Sequence, residues 1–301
     1  MRHFLLQIIL FATIFFIIDK AFYFFIDRAP NREHDKRLEY VLEGKINKDI
    51  IIIGSSRGAR SISAEKLEHE TKLKTYNLSY IASNIQFQEF VLKTLLKYNK
   101  APKKLILVID GVPEFEPIGN LYYRIDKLLP LKKYTYIHDE LINKGEKNIL
   151  SKIFCIGRIS ISDFKLQPKK ASVLEKTSLH GSQLLPVETK PNLKYNKEII
   201  EYDSSNENQE KLEAFRKIQH LCKVNDIELY YAFPPNYYSF SNSFYNRFLK
   251  LVNDQTKIIV YDTLDNRYKE KKYFRDESHL NKLGAEIFTS EISDFINQNK
   301  E

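Results

Sequence analysis

Tryptophan is absent from this 301-residue chain, methionine occurs once and cysteine twice. Cys155 and Cys222 have no metal-ligand spacing, so no metal framework and no cofactor is expected. The count fits either two free buried thiols or one disulfide, and free thiols are the expectation. Missing too is any basic run interleaved with aromatics, so the net charge of +8 does not describe a nucleic-acid partner. The lysines are spread along the chain, as on a solvated surface facing acidic envelope polymers or lipid headgroups. No internal repeat is present. What the chain does have is 43% hydrophobic residues, enough to bury one core of ordinary size in a single large domain once the N-terminal segment is set aside.

That N-terminal segment is apolar from Phe4 to Ile18 apart from Gln7 and Thr13, and resumes from Ala21 to Ile26 after Asp19 and Lys20. As one helix, residues 4 to 26 extend about 34 Å at ~1.5 Å per residue, enough to cross a hydrocarbon core of roughly 30 Å. A cleaved signal peptide is disfavoured, because the stretch is long and no small-x-small site follows it. A boundary between an anchor over 1–32 and a soluble domain over 33–301 is therefore expected. Arg2 precedes the span while Arg28, Arg32, Lys36 and Arg37 follow it, which by the positive-inside rule argues for a cytoplasmic domain. Asp27, Glu33 and Asp35 offset little of this, but a long domain translocates regardless of flanking charge, and an extracytoplasmic domain is the expectation. For Asp19 and Lys20 two readings stand: Lys20 snorkels to the interface, or the pair meets a polar surface on a partner membrane protein.

Beyond a helical connector at Glu33 to Gly44, apolar strands alternate with amphipathic helices, the pattern of a parallel α/β sheet. Strands are predicted at Asp49 to Ile53, Lys74 to Leu78, Lys104 to Ile109, Ile227 to Phe233 and Lys257 to Tyr261. Helices are predicted at Ala64 to Glu70, Ile85 to Tyr98, Asn208 to Val224, Ser243 to Asn253 and Lys282 to Gln298. Right-handed crossovers put helices on both faces, giving a three-layer α/β/α arrangement on a five-stranded, mostly parallel sheet. The interval from about 112 to 206 breaks the alternation and reads as an insertion, with helical pieces at Ile118 to Leu129 and Tyr136 to Leu141 and an irregular later part.

Two short segments carry the chemistry. Gly54, Ser55, Ser56 and Arg57 follow the first strand, so Ser56 lies at the carboxyl end of the sheet, where α/β folds bind ligands. Gly58 allows a tight path there, and the helix start offers free N–H groups to an oxyanion. The plain alternative is that Ser55 and Ser56 only cap the helix or bind a phosphate. Asp276 and His279, three residues apart just before the last helix, let a carboxylate orient an imidazole that activates a serine. His220 and His180 have no such arrangement and read as structural or exposed.

These segments resemble the SGNH (GDSL-like) hydrolases, specifically a membrane-anchored branch similar to lipoteichoic-acid D-alanylation and alginate-acetylation accessory proteins. The resemblance spans most of the chain and implies an SGNH/flavodoxin-like fold. Its first block is Ile51 to Arg57, with Ser56 as nucleophile and Ser55 where simpler relatives have aspartate. Its last and most specific block is Phe274 to Ala285, with Asp276 and His279 as acid and base. In the second block, Tyr76 to Asn84, Ala82 or Ser83 stands where such families place an oxyanion-binding glycine. A backbone donor survives that change if φ stays negative. The third block reads Asp110, Gly111, Val112, Pro113, Glu114 and lacks an asparagine, for which Asn84 is a substitute donor. Arg57 either binds an anionic substrate or stabilises a carboxylate such as Asp110. The aromatics between Phe233 and Tyr245 either stack on a sugar or pack together.

The expected function is a serine-dependent O-acyltransferase or esterase acting on a cell-surface polysaccharide or other acylated envelope polymer, with the bilayer as its surroundings. The resemblance implies a polytopic membrane-bound O-acyltransferase as partner. Two alternatives stand beside it. One is an inactive scaffold of the same fold that binds carbohydrate or recruits the membrane enzyme. The other, if the positive-inside count governs, is a cytosol-facing lipase or phosphate-binding protein.

Overall fold

A computed structural model describes residues 1–117, 119–252 and 257–299. The sheet begins with four consecutive isoleucines, Ile50–Ile53 (β1), each fully buried. Successive side chains on a strand face opposite ways, so neither face of β1 meets solvent. With Thr75–Asn77 (β2), Lys104–Val108 (β3), Glu228–Phe233 (β4) and Ile258–Val260 (β5) it forms a five-stranded sheet in the order β2-β1-β3-β4-β5. All four pairings are parallel. In this order the direction of growth reverses between β1 and β3, and the crevice beyond their carboxyl ends is where such sheets bind ligands.

The helices of the sheet unit begin where a small polar side chain caps them. Ser63, Asn84, Asn208, Ser241 and Asn281 each accept a backbone N–H from the first turn of the helix that follows. Those helices are Ala64–Thr71, Ile85–Tyr98, Gln209–Val224, Asn242–Leu249 and Lys282–Gln298. The last packs on Ala64–Thr71, and Ile85–Tyr98 packs on Gln209–Val224. The helix expected over Ser243 to Asn253 stops at Leu249, and Asn253 lies outside the described residues. The piece expected from Ile118 to Leu129 is α-helical only over Ile125–Leu128, with one 3-10 turn at Leu129–Leu131 that Pro130 enters. Ile118 lies outside the described residues.

By contact the chain divides into two compact units, Met1–Glu39 with Arg124–Ala171, and Tyr40–Tyr123 with Ser172–Glu301. The interval expected as one insertion is thus shared, and the boundary expected at 32/33 falls inside a unit. Buried ion pairs explain why. The Arg32 guanidinium meets Asp163 at 3.0 Å, Lys132 reaches the other oxygen of the same carboxylate, and all three side chains are nearly inaccessible. Removing any member would strand a buried charge, so residues 124–171 are tied to 1–39.

The first unit also holds Arg2–Ala21, continued by a further turn of helix at Tyr23–Arg28. It is long and apolar enough to cross a membrane. Asp19 does not await another protein. Its carboxylate accepts the N–H groups of Cys155 and Ile156 at 2.9 Å each, and it is 2% exposed. Lys20 donates to the Ile153 carbonyl at 2.6 Å. Both cysteines are free and buried, and burial pushes the Cys222 thiol up to about 12.

Candidate active site

Everything that follows lies within the sheet unit. After β1 the chain turns at Gly54, where an added Cβ would stand 2.8 Å from that of Val108, and enters the short helix Ser56–Ser61. Gly58 closes this helix against Ser79, leaving no room for a side chain. Ser55 caps it by accepting the Arg57 N–H at 3.1 Å. The capping alternative thus describes Ser55, while Ser56 is free for other work, and its own N–H has no acceptor within the helix.

The hydroxyl of Ser56 lies 2.9 Å from His279 Nε2. On the far side of the ring, Nδ1 lies 2.8 Å from Asp276 Oδ1 and 3.1 Å from Oδ2. Two features set that dyad. An antiparallel bridge between Phe274 and Leu280 pinches the turn, and the N–H groups of Ser278 and His279 both donate to Asp276 Oδ1 at 3.0 Å. Leu280 is fully buried, and Asn281 then caps the final helix while donating to the Lys272 carbonyl, which accounts for the Leu-Asn of the motif. Burial works against the charge of Asp276, but the hydrogen bond and charge of His279 with the two backbone donors outweigh it, holding the carboxyl below the usual range. An ionised carboxylate only accepts, so Nδ1 carries a proton, and in the neutral ring Nε2 is then the lone pair facing Ser56.

The loop after β2 is fastened to the same turn. Tyr80 N–H and Ser83 Oγ both donate to the Gly54 carbonyl at 3.0 Å. Within this loop Ala82 has φ of +58°, a left-handed conformation that costs a non-glycine residue about 1–2 kcal/mol. The condition of a negative φ, under which a backbone donor would survive the loss of glycine, is therefore not met: the loop takes a shape glycine favours while carrying an alanine. Asn84 already commits its amide oxygen and one of its two Nδ2 hydrogens to the neighbouring helix. Its Oδ1 caps the next helix through Phe87 N–H at 3.0 Å, and its Nδ2 donates to Gln86.

Beyond β3, Asp110 takes the Ser55 hydroxyl on Oδ1 at 2.6 Å. Its other oxygen has no hydrogen-bond partner, and its backbone N–H donates to the carboxyl of Glu114 at 2.8 Å. Burial pushes the Asp110 carboxyl up against the pull of Arg57 and the Ser55 hydroxyl. Burial, then the neighbouring charge of Asp110, raises Glu114 to about 8. Arg57 makes no hydrogen bond to that carboxylate. Its guanidinium donates to the backbone carbonyls of Asp110, at 2.6 Å, and Pro234. Glu114 was invisible as a site residue in the sequence, its only signal being an acidic residue four positions after Asp110.

Arg57, Asp110, Pro234, Phe233, Tyr238 and Phe240 help line a pocket of about 300 Å³ that the triad side chains do not themselves line. Phe233 packs edge-on against Phe240, Tyr245 and Phe248, so this cluster is first of all packing. His180 stands 3.8 Å from Glu68, away from the triad's hydrogen bonds. Among the described residues no group of three or more His, Cys, Asp or Glu is arranged to hold a metal ion. The chain matches no known protein family and no curated protein.

Proposed function

We propose that this chain is a membrane-anchored serine esterase or O-acyltransferase of the SGNH type, with a three-layer α/β/α domain and a substrate among acylated envelope polymers such as cell-surface polysaccharide. The observation that carries this reading is the continuous relay from Asp276 through His279 to Ser56, at 2.8 and 2.9 Å. The two packed helix pairs beside a fully buried β1 support the layered arrangement.

In this reading Ser56 Oγ attacks the ester carbonyl as its proton passes to His279 Nε2, and the carbonyl π pair moves to oxygen. The N–H of Ser56, free at the start of its helix, holds that oxyanion, a contribution of roughly 3–4 kcal/mol for a donor in sites of this kind, and Ala82, whose φ of +58° fails the condition set for a donor there, is not called on. Collapse expels the alkoxide, which takes the proton from His279 and leaves an acyl-serine. A sugar hydroxyl or water, deprotonated by the same histidine, then releases the acyl group and restores Ser56. A polytopic membrane-bound O-acyltransferase is the partner that would deliver acyl groups across the bilayer, with the domain on the extracytoplasmic side.

Asp110 favours a second reading. The block it opens lacks the donor asparagine of the simple esterases and its Oδ1 is taken by the Ser55 hydroxyl, as befits a non-catalytic scaffold that binds carbohydrate or recruits the membrane enzyme. Full-length protein in detergent micelles, treated with a serine-reactive fluorophosphonate and assayed on p-nitrophenyl acetate, separates the two. Labelling and turnover that vanish in Ser56→Ala and His279→Ala support the enzyme. An unreactive wild type that still binds polysaccharide removes it.

A further inference from the structure

We propose that residues 149–166 form a second membrane contact, an apolar belt lying in one leaflet at the boundary between headgroups and acyl chains, beside the anchor helix. The proposal rests on reading Arg2–Ala21 as a membrane span. The belt is built from one-turn 3-10 helices at Ile149–Lys152, Cys155–Gly157 and Ile161–Phe164. Along it Ile149, Leu150, Ile153, Ile156, Ile161 and Phe164 are each at least half exposed, Ile161 reaching 87%. A contiguous run of large apolar side chains left in water forfeits roughly 1.5–3 kcal/mol apiece relative to burial, so a run of this kind marks a surface that is covered.

Continuity with the apolar helix identifies what covers it. Phe154 meets Phe15 edge-on at 5.9 Å and Phe164 meets Phe25 at 4.9 Å between ring centroids. Asp19 accepts the two N–H groups at Cys155 and Ile156, and Lys20 holds the Ile153 carbonyl. These contacts put the belt at the level where the helix leaves the membrane. From Arg2 to Asp19 the helix rises about 26 Å at ~1.5 Å per residue, close to one hydrocarbon thickness of roughly 30 Å. A carboxylate there is costly unless paired, and here the belt's own backbone satisfies it. Short 3-10 turns leave backbone groups unsatisfied, which excludes the hydrocarbon centre but suits the wet interface. Between Lys144 and Lys165 the chain also carries Lys147, Lys152 and Arg158 against Glu146 and the buried, paired Asp163, while Asp139 and Glu140 just before it pair with Lys152 and Lys144, leaving a slight basic excess toward anionic headgroups.

Because the protein has no tryptophan, single-tryptophan variants of the full chain report position without background. Phe11→Trp and Ile161→Trp replace side chains that are 72% and 87% exposed, so packing is preserved. Each is reconstituted into phosphatidylcholine/phosphatidylglycerol vesicles containing lipid brominated either near the glycerol backbone or near the chain end. The expected result is loss of Ile161→Trp emission to the shallow bromines and loss of Phe11→Trp emission to the deep ones. Ile153→Trp serves as a second belt probe and is expected to follow Ile161→Trp. Quenching at Phe11→Trp with none at either belt position overturns the belt alone. Quenching of Ile161→Trp that is stronger with the deep bromines than with the shallow ones overturns its interfacial placement as well. Absence of deep quenching at Phe11→Trp removes the anchor itself.

Discussion

Asp276→Asn is expected to cost about two orders of magnitude in turnover, where the loss of an orienting carboxylate is often worth four. The difference comes from the local hydrogen bonds. Oδ1 of Asp276 accepts the Ser278 and His279 backbone N–H groups at 3.0 Å each and lies 2.8 Å from Nδ1. Those two backbone donors draw the asparagine carbonyl into the same position, so it still receives the Nδ1 proton and Nε2 remains the base. What disappears is the negative charge facing the imidazolium as it forms. Unit charges ~3 Å apart interact by roughly 5 kcal/mol at an effective dielectric of ~20 and about 1.4 kcal/mol in water. The two side chains are 18% and 30% exposed, between those limits. A loss of about 2–3 kcal/mol follows, or roughly 10²-fold in rate. Asp276→Ala removes the tautomer lock together with the charge, and a fall of roughly 10⁴-fold is expected, as where the wrong tautomer is imposed. The assay is kcat/KM on p-nitrophenyl acetate for the full-length protein in detergent. Equal losses in the two variants would refute the argument, because the backbone donors would then not be choosing the amide's orientation.

Glu114→Gln tests the buried carboxyl pair. Glu114 is raised from 4.5 to about 8, so between those values the folded protein holds a proton the unfolded chain has released. The stability this confers is complete below the unfolded value and is lost as pH rises through about 8. Melting curves of the variant and the wild type should nearly coincide at pH near the unfolded value and diverge by a few kcal/mol, on the order of 4, on the alkaline side, the variant being more stable; parallel curves would sink the idea. Ser55→Ala strips the Arg57 N–H of its cap and leaves Asp110 Oδ1 unpartnered, for an expected cost of about 1–3 kcal/mol in chemical denaturation, and a loss under ~0.5 would contradict it. Gly58→Ala presses a methyl group on Ser79, whose Cβ would lie at 3.0 Å, and on the Val108 side chain at 3.3 Å. A destabilisation of about 1–3 kcal/mol is expected, with slower fluorophosphonate labelling as the Ser56 helix shifts; wild-type labelling would speak against it.

The parts of this fold that were legible are those set by short-range rules. Four isoleucines in a row make a buried strand wherever they fall, and helices that open on Asn or Ser begin within a residue or so of where their caps stand. The Asp–His pair was legible for the same reason, since Asp276 and His279 share one turn. What escaped was decided at long range. Asp19 reads locally as a polar break in an apolar helix, and beyond its neighbour Lys20 it is backbone more than 130 positions away that satisfies it. Residues 124–171 have one regular helix, Thr135–Asn143, where a helical piece was expected at Tyr136 to Leu141, but the rest are short turns gathered around Asp163, so nothing in them announces that they fold with the N-terminus. The positive φ at Ala82 was hidden because alanine is a poor advertisement for a left-handed turn.

The span of the relay has a thermal consequence. Asp276 and His279 close a loop of three residues, whereas Ser56 is brought to them across 223. The entropy of closing a chain grows with its length, so the short pairing survives disorder that the long one does not. On heating, the contact of His279 with Ser56 is therefore the one most exposed to loosening of the sheet, and on the proposed reading thermal inactivation reports the cohesion of β1 with its neighbours.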